Sequence, residues 1–315
     1  MCSQNPKHPN KSIMKEVYQI SDLVDRETLD QGAQKPARLA VLGYPVAHSA
    51  SPAMHQAALD AEGMDMRYIR LEIHPGELKE AFNRMSELGF IGCNVTVPHK
   101  LEAMECCDTL SDEAKAIGVV NTVTFSQEDG KISGHNTDGP GLERAIREDF
   151  QAELSELRVA IVGVGGGAGK AIATQCARLG CPQLWLINRT VEKAQNLSNH
   201  LSQISKTKML ALANDAPNLE QALGQADLII NATSLGMKAD DPLPVPATCL
   251  KTSHMVYDAI YKPSETALLK EAHSRQASTS NGFSMLLHQG VLAYEHWFPS
   301  QSPTNQMKQG LQTTL

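Results

Sequence analysis

The sequence predicts an α/β protein of two blocks, each built on a mostly parallel sheet. Three observations carry this. From residue 39 onward, apolar runs of strand length alternate with longer stretches of helical spacing. The same rhythm restarts at residue 158. At that restart a glycine cluster, GVGGGAG, follows an apolar run and opens a helical stretch, the arrangement of a Rossmann-type doubly wound domain.

The elements follow in order. Residues 1–36 are polar and rich in Lys, Asn, Gln and Pro, and read as a weakly ordered leader in which Ser21–Leu29 forms a short helix. The first block, 37–137, runs through LAVLG, SPAMHQAALDAEG, MRYIRLEI, ELKEAFNRMSELG and IGCNVTVP. The second, 138–281, begins in the glycine-rich GHNTDGPG. It continues through RVAIVG, a helix to Leu179, LWLINRT, VEKAQNLSNHLS, KMLALAN, LEQALGQA, DLIINAT and HMVYDAI. The last stretch, within 282–315, has helical spacing in GFSMLLHQGVLAYEHWF.

Totals exclude several classes. At 315 residues the chain has room for two ordinary domains. A formal charge of −7 and no basic run argue against nucleic acid. No run of eighteen apolar residues spans a membrane, and MCSQNPKHPNKS lacks the apolar core of a secretory signal. Seven cysteines in no metal or disulfide spacing read as reduced thiols of a cytoplasmic protein. No metal site is expected.

Two phosphate loops compete for the glycine cluster. A Walker A loop ends in G-K-[ST] and starts with glycine five residues before the second glycine. Gly169 and Lys170 fit, but Val164 stands at the first position and Ala171 at the last. A dinucleotide fingerprint needs G-x-G-x-x-G/A, and Gly163, Gly165 and Ala168 supply it. An NAD binder ends its second strand in a carboxylate for the ribose 2′-hydroxyl. Here that strand ends Asn188, Arg189, Thr190. A guanidinium pairs with a 2′-phosphate, so the pattern points to NADP.

The first block then carries the substrate. Ser49 and Ser51 are two apart and present their hydroxyls on one side. Ser51 reads as an N-cap with Pro52 at the first helical position, an arrangement suited to a carboxylate. Asn94 and Thr96 share a strand face, with Lys100 just past Pro98. Asn121, Asn136 and Asp138 add amides and a carboxylate. A Lys brought to an Asp moves a proton at a ketone or alcohol oxygen. The residues alone therefore suggest a ketone–alcohol oxidoreductase acting on a polar anion.

From about residue 39 to 298 the chain resembles the shikimate dehydrogenase family. The likeness rests on GYPVAHSASPAMH, GCNVTVPHK, GVVNT, GHNTDGPG, GVGGGAG, NRT, NATSLGM, YDAIYKP and MLLHQ in one order. It implies a substrate domain followed by an NADP-binding Rossmann domain, with C-terminal helices returning to the first. It implies reversible NADPH-dependent reduction of 3-dehydroshikimate to shikimate, by a monomer or homodimer, with a quinate/shikimate dehydrogenase of broader specificity as the close alternative. A silent NADP-binding sensor is the alternative from another class. By that resemblance Lys100 and Asp138 form the catalytic pair, and Ser49 and Ser51 bind the carboxylate. Thr96, Asn121, Tyr261 and Gln289 contact ring hydroxyls, and Asn94 lines the same pocket. Gly163, Val164, Gly165, Gly166, Gly167, Asn188, Arg189, Thr190 and Lys193 hold NADP(H). Thr233, Ala259 and Gly282 lie near its nicotinamide half, and Asp112 is a further cofactor position. Val119 stands where Ala is usual, Asn281 where Asp is common, and the leader is longer than the family needs. His48, His55, His99 and His135 read as polar lining, Met237, Met255 and Met285 as packing near the nicotinamide, and Tyr257 as core.

Overall fold

The computed structural model describes residues 14–299 and 303–314. The expectations for residues 1–13 lie outside them. The first block contains β1 (Tyr18–Gln19), α1 (Arg26–Leu29), β2 (Ala37–Gly43), α2 (Ser51–Ala61), β3 (Arg67–Glu72) and α3 (Leu78–Glu87). It continues with β4 (Gly92–Val95), α4 (Lys100–Glu105), β5 (Thr109–Leu110), α5 (Asp112–Ile117), β6 (Thr122–Phe125) and β7 (Ile132–His135). Their sheet has the order β1-β3-β2-β4-β6-β7-β5. The helices are amphipathic at the expected spacing: α3 buries Leu78, Ala81, Phe82 and Met85. α5 starts on Ser111, whose hydroxyl accepts from the Ala114 N–H, and stops at Gly118 with φ +75°.

Two features depart from the sequence reading. The segment expected as a weakly ordered leader or helix contributes a short strand, Tyr18–Gln19, to this sheet. β1 pairs with β3, and Tyr18, Leu23 and Leu29 are buried in the core. The helix expected over Ser21–Leu29 is instead a 3-10 turn, Ile20–Asp22, followed by the single turn of α1. Second, β6 and β7 form an antiparallel hairpin that also pairs antiparallel with β4.

The helix α6 (Asp138–Phe150) crosses to the second block. There follow β8 (Arg158–Val162), α7 (Gly167–Arg178), β9 (Gln183–Ile187), α8 (Val191–Leu201), β10 (Lys208–Leu212), α9 (Leu219–Leu223) and β11 (Leu228–Asn231). β12 (Met255–Asp258), α10 (Ala267–Ser274) and β13 (Ser278–Asn281) complete it. The six strands are all parallel, in the order β10-β9-β8-β11-β12-β13. Strands covered on both faces read as unbroken apolar runs, and β11, LIIN, is buried throughout.

The last helices, α11 (Phe283–Trp297) and α12 (Thr304–Gln312), turn back to the first block. Leu287, Val291, Tyr294, Trp297, Met307 and Leu311 join Leu39, Val41, Met54, Leu59 and Tyr68 in one core. Each large side chain so buried is worth roughly 1.5–3 kcal/mol, so this seam fastens the chain's end to its beginning. Among the described residues no helix is long and apolar enough to cross a membrane.

Candidate active site

Strand direction gathers the polar residues. β2 and β4 are parallel, so their carboxyl ends open at one edge, delivering Ser49, Ser51, Thr96 and Lys100. β6 runs opposite to β4, so its start brings Asn121 to the same edge. β7 reverses again, and its end brings Asn136 and Asp138 there. The second sheet presents the carboxyl ends of β8, β11, β12 and β13 across a cleft. In open α/β sheets that is where ligands bind.

A cavity of about 220 Å³ occupies this cleft. Ser49, Ser51, Asn94, Thr96, Lys100, Asn121, Asp138, Tyr261 and Gln289 all line it, with Ala259 and Gly282 from the second block. Lys100 Nζ lies 2.6 Å from Asp138 Oδ2. Lys100 begins α4, the unfavourable end of a helix for a cation, while Asp138 begins the longer α6, the favourable end for an anion. Asn121 Nδ2 donates to the other carboxylate oxygen at 2.8 Å, and Thr137 N donates to Asn121 Oδ1 at 2.8 Å, which fixes the amide's orientation. Asn136 Oδ1 accepts from Asp138 N at 3.0 Å. The carboxylate is therefore held on both oxygens, and Lys100 lines the cavity.

The serines differ in one respect from expectation. α2 begins at Ser51 with Ala50 as its N-cap and no side-chain cap, so Pro52 is the second helical residue. Ser49 Oγ accepts from Ser51 N at 3.4 Å. Ser51 is thus not spent on capping, because the helix starts a residue earlier than Pro52 suggests. Arg70 on β3 grips the Ser49 carbonyl through Nε at 3.2 Å and a terminal nitrogen at 2.8 Å. Sequence reasoning passed over Arg70; its signal is a cation in the apolar run of β3. Tyr261 is half-buried, and burial raises its phenol above the ordinary range.

The glycine loop joins β8 to α7 next to this cavity. Ala168 lines it, and a Cβ on Gly167 would lie 3.5 Å from Lys100 Cδ. Gly163 has φ +95°, and a Cβ there would lie 2.6 Å from Thr233 Cγ2. The close approach of helix to strand is made by Gly169, where a Cβ would sit 2.3 Å from Gly163 O. The fingerprint as read put Ala168 in that role. No side chain caps α7, leaving its first N–H groups for an anion. Asn188 Oδ1 accepts from Gly165 N at 3.0 Å and so shapes the loop. Arg189, Thr190 and Lys193 beside it are exposed. Gly165, with Lys193 Cδ 3.0 Å from where its Cβ would be, leaves a cradle bordered by Lys193 and the Asn188 amide. These residues fit a dinucleotide with a 2′-phosphate. Thr233 is held by Asn231 Oδ1, which accepts from its N and Oγ1.

Of the remaining residues, most fall outside the cavity. Asp112 stands at the exposed start of α5 with Lys115 3.8 Å away, and is not among the cavity's residues. Met255 opens β12 at the opposite edge and Met237 is exposed, so only Met285 of the three methionines reaches the cavity. His48 lines it. His99 turns away to Ile73 O at 2.7 Å, and His135 stacks on His296 with ring centroids 4.0 Å apart. Asn281 accepts from Phe283 N at 3.0 Å and donates to Ser264 O at 2.8 Å; an aspartate there keeps the first bond and loses the second. Val119 packs with Ile117 and Ala171 where α5 meets α7.

Residues 41–123 match the family model described as shikimate dehydrogenase substrate binding domain, and residues 145–238 match that of shikimate / quinate 5-dehydrogenase. The chain is 38% identical over 294 residues to the shikimate dehydrogenase (NADP(+)) of Methanopyrus kandleri, covering 93% of this chain and 98% of the relative. It superposes with a TM-score of 0.77 on the shikimate 5-dehydrogenase of Thermus thermophilus in complex with NADP(H) and shikimate, at 32% identity, covering 89% of this chain and all (100%) of that one. The quinate dehydrogenase of Corynebacterium glutamicum in complex with NAD gives a TM-score of 0.80 at 30% identity, over 87% of this chain and 98% of that one. Likeness of this extent runs through both blocks and the returning helices, so the chain belongs to the shikimate dehydrogenase family.

Proposed function

We propose that this chain is an NADP-dependent shikimate dehydrogenase, interconverting 3-dehydroshikimate and shikimate in the route to chorismate and the aromatic amino acids. The observation that carries this is the Lys100–Asp138 pair, 2.6 Å apart, in a cavity that also presents Ser49 and Ser51 and adjoins the glycine loop. NADPH, when bound, supplies a hydride to the ketone carbon. The Lys100 ammonium donates a proton to the carbonyl oxygen as charge develops on it. In the oxidation direction the neutral amine takes the proton of the hydroxyl. Asp138 aims Lys100 and balances its charge. Ser49 and Ser51 donate to the substrate carboxylate, and Arg70 steadies their loop. Thr96, Asn121, Tyr261 and Gln289 hold the ring hydroxyls, with Asn94 behind them. Gly163 to Gly167 carry the pyrophosphate, and Arg189, Thr190 and Lys193 the adenosine phosphate.

The test is NADP+ reduction by the purified chain with shikimate and with quinate in parallel. Turnover of shikimate is expected; no turnover with either polyol overturns the reading, and faster oxidation of quinate at matched concentration reassigns the substrate. Arg189→Ala is expected to raise the KM for NADP+ about 10- to 100-fold, the loss of a charge-assisted phosphate contact of roughly 1.5–3 kcal/mol. The KM for NAD+ should stay within about twofold. Equal weakening of both cofactors would remove Arg189 from the phosphate.

A further inference from the structure

The Lys100–Asp138 pair ends a longer buried chain of hydrogen bonds. Asn121 Nδ2 donates to Asp138 Oδ1. Thr122 Oγ1 donates to Asn121 Oδ1 at 3.1 Å, and Asn94 Nδ2 donates to Thr122 Oγ1 at 3.2 Å. Tyr68 Oη donates to Asn94 Oδ1 at 2.7 Å. Tyr68, Asn94, Thr122 and Asn121 are all buried. The chain runs across the sheet from β3, through β4, to β6 and the start of α6.

Tyr68 is not among the residues of the cavity. Its ring is fixed by its neighbours, stacking on His55 with centroids 4.6 Å apart at 7° and facing Trp297 at 6.2 Å. Burial keeps the phenol protonated, with its pKa pushed well above the usual range. Its hydroxyl is therefore a donor, and that donor decides which end of the Asn94 amide faces Tyr68 and which faces Thr122. An amide held one way round makes Asn94 a donor toward Asn121 and Thr122. Fully satisfied buried polar networks hold their members in one geometry.

Resting on the functional reading above, we propose that Tyr68 is a positioning residue for proton transfer, acting through Asn94, Thr122 and Asn121 to set the Asp138–Lys100 geometry. Tyr68 lies outside the lining of the cavity, and its hydroxyl also neighbours that of Ser51.

Tyr68→Phe keeps the ring and its stacking and removes the donor. It should lower kcat for shikimate oxidation about tenfold, part of the roughly 10²–10⁴ that general acid–base catalysis supplies, with KM within about twofold. In a Lys100→Ala background the same change should cost less than about twofold, because the group being aimed is gone. In the wild type the Asn121 side-chain amide protons should exchange slowly with solvent, and Tyr68→Phe should speed them about tenfold. Equal losses in both backgrounds mean a general structural role and overturn the proposal. So does a raised KM with unchanged kcat, which would assign Tyr68 to Ser51 and substrate seating, and so does no change in rate or exchange. If the wild type leaves shikimate untouched, the functional reading fails by itself, and the amide exchange still decides whether Tyr68 orders Asn121.

Discussion

Lys100→Ala is expected to lower the turnover of shikimate oxidation by about 10²–10⁴, the range that a positioned acid–base group contributes. The KM for shikimate should change little. On the proposed reading the lysine touches the oxygen whose proton moves, while Ser49 and Ser51 carry the carboxylate. The substitution leaves Asp138 with Asn121 Nδ2 as a remaining donor at 2.8 Å, so the carboxylate keeps part of its support and the fold should survive. Steady-state kinetics in both directions check this, with a thermal melt to confirm folding. A large rise in KM at unchanged kcat would make Lys100 a binding residue.

A second large effect concerns acid. His55 is fully buried between Tyr68 and Trp297, and burial lowers its pKa from 6.5 to about 3, partly offset by the nearby Asn94 side chain. An unfolded chain takes up this proton near pH 6.5, whereas the folded chain resists until about pH 3. Between those values the unfolded state binds more protons, so stability rises with pH. It is complete above about pH 6.5 and is lost as pH falls toward about 3, by on the order of 5 kcal/mol in full. His135, lowered to about 4 by burial and by His296, acts in the same direction. Urea unfolding between about pH 7 and pH 4.5 should show a steep loss of stability. His55→Phe, which keeps a flat ring against Tyr68, should flatten that slope. A wild type whose stability ignores pH over this window, or a variant with an unchanged slope, would sink the expectation.

Much of the site was readable before folding because its residues interrupt apolar patterns. Lys100 follows a strand and a proline, and Asp138 sits where glycine density rises. The glycine cluster declared itself by the strand before it and the helix after it. Other parts were not readable. β6 and β7 are TVTF and ISGH, strands too polar and short to stand out by periodicity. β1 lies in a segment whose composition reads as leader, and it becomes a strand by pairing with β3. Ser51 looks like a cap because Pro52 follows it, yet the cap position is one residue earlier. Ala168 and Gly169 both satisfy a permissive fingerprint. The 2.3 Å separation from Gly163 O is what requires glycine at 169.

The division follows the range of the interactions. Residue order by itself determined the two α/β blocks, the phosphate loop, the preference for a cation over a carboxylate at Arg189, and which residue types carry protons. Those depend on periodicity and on neighbours within a few positions. Tertiary structure decided that Lys100 meets Asp138 across 38 residues, that Asn121 orients the carboxylate, and that Tyr68 reaches them through Asn94. Each of those contacts joins residues on strands or at their ends, the pairing and direction of those strands are set by the packing of the whole sheet, and no local pattern encodes which strand lies beside which.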